Sequence, residues 1–492
     1  MLENRNAGHK KVSSAASSQL ILLGTHSTQL ALGLLITVLL GRFLEPEDFG
    51  FFALISIVFV VGRELNDMGT GSIAAREIVQ NPAEEMRLLS ALLGWRRLVA
   101  FGLALICAGL SLKAENSLQA LALVTASLVM ATMYNTAFYV VFQIRQAFIP
   151  HVVLTMSAQV AMLAACLVTI LLNVGGIFVA VIVLLREFVM LFGMKVLALR
   201  MLPDTPQPRL NRKRFKGFYS KALIFGIASV CYYLTVHSGT FFTWFHGSNL
   251  EVGAYSSAFR LVYPLMTMPW ILMIPVLPVF AHLAVSKNDE FAGQVGANFR
   301  VLLGVGLVIA SSGYLLAPAI MQFLYGDRFV TGAFDAVQTF KWLSIALFFA
   351  SIVPSLVIGL LATGRESILL GLAGVALVVN VTFNLMLIPI LGFTGASMAL
   401  ALAEFTFVIG LLGAVFNVIG VSPLVKHILP FVMPSFGLVI ALLLLPEALY
   451  FRIIGGTLLT LLALIIVWML PSAQQMRKEL KLIGQSYAVS ND

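Results

Sequence analysis

Stretches of about twenty predominantly apolar residues recur about fourteen times along this chain, beginning near residues 20, 49, 92, 117, 150, 176, 219, 252, 297, 337, 367, 393, 427 and 449. A helix rising about 1.5 Å per residue needs about 20 residues to cross the ~30 Å hydrocarbon layer of a bilayer. Lipid supplies no hydrogen bonds, so only helices and closed barrels can span it, and uninterrupted apolar runs of this length select helices. Composition agrees: 60% of residues are hydrophobic and only 11% charged, with a mean hydropathy of +0.97, whereas soluble domains are roughly 25% charged. The expected fold is an all-α integral membrane protein.

The basic N-terminus followed by an apolar stretch suggests a secretory leader, but Leu20 to Leu40 exceeds a normal leader core and lacks an A-x-A site, so it reads as a retained first span. Cys107, Cys166 and Cys231 all fall inside spans and indicate neither a disulfide framework nor a metal cluster. The net charge of +9 is a matter of topology rather than nucleic-acid binding. With both termini cytoplasmic, 22 of the 31 lysines and arginines fall in inner segments and four, Arg42, Lys113, Arg328 and Arg452, in outer ones. The charged stretch from Arg76 to Arg97 is expected to be an amphipathic helix at the inner membrane surface.

One long polar linker interrupts the spans. Asp204 to Lys221, DTPQPRLNRKRFKGFYSK, joins two prolines to a dense basic run and marks a boundary. It reads either as an anchor on anionic lipid or as a recruiting surface for a lipid-phosphate substrate. The expected organisation is an N-terminal lobe of six spans at 1–200, a basic cytoplasmic linker at 201–218, a C-terminal lobe of six spans at 219–420, and two further spans with a tail at 421–492. The lobes resemble each other. LEPEDFGFFALISIVF from Leu44 matches NLEVGAYSSAFRLVYP from Asn249, setting Gly50 on Gly253, and NVGGIFVAVIVLLREF from Asn173 matches ILGFTGASMALALAEF from Ile390, setting Glu187 on Glu404. Six spans repeated with six keep the same orientation, so the lobes are related by an axis along the membrane normal.

Charged residues within spans are costly, about 2.5–3.5 kcal/mol each on insertion scales, and are therefore candidate site residues. Arg260 lies in the eighth span, where Ser256, Arg260, Tyr263 and Thr267 share one helical face among Pro264, Pro269, Pro275 and Pro278. The prolines suggest a bent, cavity-lining helix. Span seven carries a stripe of Ser229, Tyr233, His237, Thr240 and Trp244; it suits a carbohydrate, which stacks on rings and bonds to hydroxyls, and equally suits helix packing. Arg186 and Glu187 sit together in span six and Glu404 in span twelve. Glu187 either neutralises its neighbour or serves ion coupling; Glu404, with no basic residue near in sequence, is protonated, paired across helices, or ion-coupling. Arg63 either faces a cavity or snorkels beside Glu64 and Asp67.

There is no phosphate-binding glycine loop with a following lysine and no His/Cys/Asp metal spacing. Several stretches do resemble a known family: LEPEDFG, DMGTGSIAAREI, GAYSSAFRLVYPL, LYGDRF from Leu324, and NVTFNLMLIPILGFTGASMALALAE from Asn380. Together they resemble the polysaccharide transport family of the MOP exporter superfamily, the Wzx-type flippases of lipid-linked oligosaccharides, over about residues 20 to 470. The resemblance implies a MATE-like fold and a transporter, not an enzyme, in the bacterial inner membrane. It would flip an undecaprenyl-diphosphate-linked oligosaccharide by alternating access for lipopolysaccharide or exopolysaccharide synthesis. Cavity cations, Arg260 first, then Arg186 and Arg63, would bind the diphosphate and sugar. No cofactor is implied; coupling to H+ or Na+ and association with polysaccharide polymerase and chain-length proteins stay open. Two other readings stand beside it: a cation-coupled drug exporter of the same superfamily, kept open by Glu404 and Glu187, and a membrane scaffold for glycan assembly that has lost transport.

Overall fold

The computed structural model describes residues 24–25, 28–114, 116–145, 147–172, 177–209, 212–273, 276–286, 288–332, 335–471 and 473–474. Among these residues every regular element is a helix. In chain order they are α1 (Thr28–Phe43), α2 (Pro46–Asp67), α3 (Thr70–Gln80), α4 (Glu85–Leu110), α5 (Ser117–Ala131), α6 (Tyr139–Ile144), α7 (Phe148–Leu171), α8 (Ile177–Leu199), α9 (Arg212–His246), α10 (Asn249–Met273), α11 (Leu277–Ser286), α12 (Asn288–Tyr325), α13 (Val337–Ala362), α14 (Glu366–Leu391), α15 (Phe393–Ile419), α16 (Ser422–Val425), α17 (Leu429–Leu443) and α18 (Leu449–Met469). A 3-10 turn, Met133–Phe138, joins α5 to α6 within one apolar segment, and α3 and α16 are short connecting helices. Fourteen helical segments thus answer the fourteen apolar runs.

Local chemistry sets the helix ends. Pro46 opens α2, with Glu47 and Asp48 in its first turn, where negative charge meets the positive end of the helix dipole. Met68 and Gly69, at φ 43° and 69°, end it in the left-handed region and turn the chain into α3. Ser248 and Glu251 form a reciprocal capping pair before α10: the Ser248 N–H donates to Glu251 Oε2 at 3.2 Å, and the Glu251 N–H donates to Ser248 Oγ at 3.5 Å. Gly392, at φ 58°, makes the corner between α14 and α15. Just beyond it, a Cβ on Gly395 would lie 2.6 Å from the backbone of Leu387, so only glycine lets α15 start against α14.

Contacts divide the chain into two compact units, Ser14–Thr240 and Phe241–Asp492, so the division falls inside α9 rather than in the linker. The two share one packing plan. In the first unit α8 packs on α2, α5 and α7, and α4 packs on α5; in the second α15 packs on α10, α13 and α14, and α12 packs on α13. These are the same helices under the internal repeat, which makes the architecture two pseudo-symmetric six-helix lobes. The additional pair α17 and α18 packs on α12. Gly175, part of the repeat, and the basic run at 210–218 fall outside the described side chains. Leucine, isoleucine, valine and phenylalanine cover the outer faces, Leu105, Ile106, Leu128, Leu171 and Leu461 being exposed examples, as expected where lipid replaces water.

Candidate functional site

In the first lobe the structure joins three of the candidate residues. Arg63 on α2 donates from Nη2 to Glu187 Oε2 at 2.8 Å, and Arg186 Nη1 pairs with Glu187 Oε1. One carboxylate, its side chain only 5% exposed, therefore holds two guanidiniums, of which Arg63 is 47% and Arg186 22% exposed. The neutralisation of Arg186 by its neighbour occurs as the sequence allows. The carboxylate that pairs with Arg63 comes from α8, which packs on α2. Two guanidiniums share one carboxylate, midway along α8 and near the end of α2, an arrangement that suits an anion. The adjoining wall is aromatic. His151 on α7 lies within electrostatic reach of Arg63, its ring centroid 4.8 Å from Tyr139 and 5.7 Å from Phe142. Nothing in the sequence around His151 marks it, because its neighbours come from other segments.

Arg96 is the clearest departure from expectation. Within the stretch read as a membrane-surface helix, it is instead 1% exposed and engages Asp67. Its Nε and Nη2 donate to Thr70 Oγ1 at 3.3 and 3.2 Å, and Nη1 donates to Thr136 Oγ1 at 3.1 Å. Its carbonyl accepts from Asn66 Nδ2 at 2.8 Å, and the Thr136 hydroxyl lies 3.3 Å from Asn66 Oδ1. The physical reason is tertiary: the left-handed corner at Met68 and Gly69 carries Asp67 and Thr70 to α4, so the guanidinium finds partners inside. Only α3 in that stretch is amphipathic and short, as a surface helix would be.

In the second lobe Ser256, Arg260 and Tyr263 lie on α10. Ser256 is buried, and Arg260 and Tyr263 are half-buried. Tyr255, Phe259 and Tyr263 stack in sequence with centroids 5.6 Å apart at each step. Tyr325, the last residue of α12, donates its hydroxyl to the carbonyl of Ser257 at 3.0 Å and lies within electrostatic reach of Arg260. The LYGDRF stretch thereby acquires a role that sequence alone did not give it. Pro264 and Pro269 are accommodated inside α10, where Thr267 Oγ1 donates to the Pro264 carbonyl at 2.8 Å. The helix ends at Met273 and resumes as α11 at Leu277; Pro275 lies outside the described residues.

On α9, Tyr233 and His237 stack at 6.0 Å, with His237 2% exposed and Tyr233 half-buried. Glu404 is fully buried on α15, at the position that the repeat sets on Glu187. Both lobes therefore bury a carboxylate in their sixth span. Ile57, which the repeat sets on Arg260, is a buried core residue, so the cationic position on the second helix exists in one lobe only. Among the described residues no group of three or more His, Cys, Asp or Glu is placed to hold a metal ion.

Comparison with known proteins places the fold. A family model described as Polysaccharide biosynthesis protein matches residues 15–284. No curated protein matches in sequence. Among solved structures, the lipid II flippase MurJ in an inward closed conformation aligns with a TM-score of 0.72 at 14% identity, covering 91% of this chain and 98% of that one. A multidrug resistance MATE family transporter of the MOP superfamily, in an inward-facing conformation, aligns at 0.58 and 16% identity, covering 84% and 99%. The eukaryotic MATE transporter AtDTX14 aligns at 0.54 and 15% identity, covering 88% and 99%. The second lobe lies mostly beyond the family match, and there the whole-chain structural alignments supply the fold. The chain belongs to the polysaccharide biosynthesis protein family, and its fold is the one seen in the flippase MurJ and in MATE transporters.

Proposed function

We propose that this protein flips an undecaprenyl-diphosphate-linked oligosaccharide from the inner to the outer leaflet of a bacterial inner membrane, with both termini cytoplasmic. The two lobes would open alternately to the two sides. What carries the reading, within this family, is the Arg63–Glu187–Arg186 cluster: charge is held within spans at a cost that lipid-facing packing does not require. Arg63, Arg186 and Arg260 would neutralise the diphosphate, Ser256, Tyr263, Tyr233 and His237 would contact sugar, and the polyprenyl tail would remain in lipid. Glu187 would keep the first-lobe arginines from holding the diphosphate too tightly to release it.

A second reading, ion-coupled export, is favoured by the complete burial of Glu404, which could carry a proton or Na+ through a transport cycle. Two measurements separate the readings. The flippase reading expects Arg260→Ala at wild-type protein level to abolish surface polysaccharide, and a deletion strain to keep its drug-resistance profile. Unchanged polysaccharide with lost drug resistance would replace it with the exporter.

A further inference from the structure

Away from the charges within the spans, the first lobe builds a second cationic feature. Residues 205–209, leaving α8, run back across the first turns of α4. The Arg209 N–H donates to the Ser90 carbonyl at 3.0 Å. One turn further along α4, a Cβ on Gly94 would lie 2.6 Å from the Arg209 carbonyl oxygen, so the segment rests directly on a glycine. Between segment and helix is an open groove of about 440 Å³, lined by exposed Arg87, Thr205, Gln207 and Arg209 with half-buried Ser90, over an apolar part that includes Met86 and Pro206.

The lining holds two guanidiniums, two hydroxyls and a carboxamide, and no carboxylate. Glu84, which accepts from Arg87 Nη1 at 3.1 Å, is not part of it. Guanidinium forks match phosphate oxygens, and hydroxyl and amide groups complete such a shell. The apolar part would tolerate an ester substituent. Position agrees with this chemistry. α4 belongs to an apolar segment, Pro82–Lys113, long enough to cross a membrane, and the groove lies on its first turns. At 32 residues that segment exceeds the roughly 20 that cross the hydrocarbon layer, so its first turns would reach the headgroup phosphates.

We propose that this groove is a phosphate-binding site, separate from the Arg63 cluster, that takes the phosphate of an anionic lipid headgroup or free phosphate. A general attraction of basic segments to anionic lipid would depend on total charge; a shaped groove depends on these residues. The full-length protein in detergent would be analysed by native mass spectrometry with phosphatidylglycerol or phosphatidylcholine, and by calorimetry with inorganic phosphate. The proposal expects phosphatidylglycerol retained over phosphatidylcholine, and retention reduced about tenfold or more in the Arg87→Gln/Arg209→Gln variant. Arg76→Gln/Arg200→Gln removes the same charge outside the groove and should leave retention unchanged. Gln207→Leu keeps the charge and should still weaken it. Phosphate binding by calorimetry with no lipid preference would assign the site to the free ion. Equal losses in the two double-arginine variants, or no binding of either probe by the wild type, would overturn the proposal. Thermal unfolding of each variant checks folding. Arg260→Ala should retain phosphatidylglycerol, so failure of the flippase reading leaves this result readable.

Discussion

Replacing Arg96 by methionine tests how much of the first lobe hangs on one buried charge. The substitution keeps an unbranched apolar stem and removes the guanidinium, which engages Asp67, Thr70 and Thr136 from a site 1% exposed. Removing one partner of a buried pair costs about 3–5 kcal/mol, because the other charge is left uncompensated. Here the Asp67 side chain is 39% exposed and can take up water. Thr70 and Thr136 keep their own donations to the carbonyls of Asp67 and Met133 at 2.5 and 2.8 Å. The loss for Arg96→Met should therefore fall to about 2 kcal/mol. Asp67→Asn leaves the charge on the buried partner and should cost more, about 3 kcal/mol. The double variant should be less destabilised than the sum of the singles, by about 1 kcal/mol or more. Reversible unfolding of the purified protein in detergent, titrated with sodium dodecyl sulfate, measures all three. An Arg96→Met variant as stable as wild type, or strict additivity, would refute the reasoning.

The remaining predictions concern other contacts. Glu187→Gln should destabilise the first lobe more than Arg63→Gln, because it removes the buried carboxylate that both arginines share, whereas the Arg63 side chain is 47% exposed and its contact contributes at most about 1 kcal/mol; the same titration ranks them. Gly226→Val should sharply lower the yield of folded protein, since a Cβ there would lie 2.1 Å from the Met68 carbonyl oxygen. Gly102→Ala, with nothing within 4 Å, should be neutral or stabilising. Tyr325→Phe should cost about 1 kcal/mol by removing the hydroxyl bonded to Ser257.

How much of this was legible in the sequence depends on the range of each signal. Apolar runs are local, and each is helical where its residues are described. The lobe repeat was legible because Gly50 with Gly253 and Glu187 with Glu404 keep their order, and α8 and α15 then pack on matching helices. Partners of charges are not local. Arg63 pairs with a residue 124 positions away rather than with the adjacent Glu64. Arg96 looked like a surface charge because its acceptors arrive only once the Met68–Gly69 corner folds back. Tyr325 reaches α10 from the end of a helix 68 positions later. Residues in the polar linker gave a basic run, but nothing in their order announced that Arg209 would rest on Gly94.

The central claim is tested most directly by flipping of a fluorescent undecaprenyl-diphosphate-linked oligosaccharide in liposomes holding the purified protein. The account predicts movement between leaflets with the wild type, lost in Arg260→Ala and in Arg63→Gln while both stay folded. Wild-type liposomes that move the lipid no faster than protein-free ones, or a folded Arg260→Ala that flips at the wild-type rate, would contradict it.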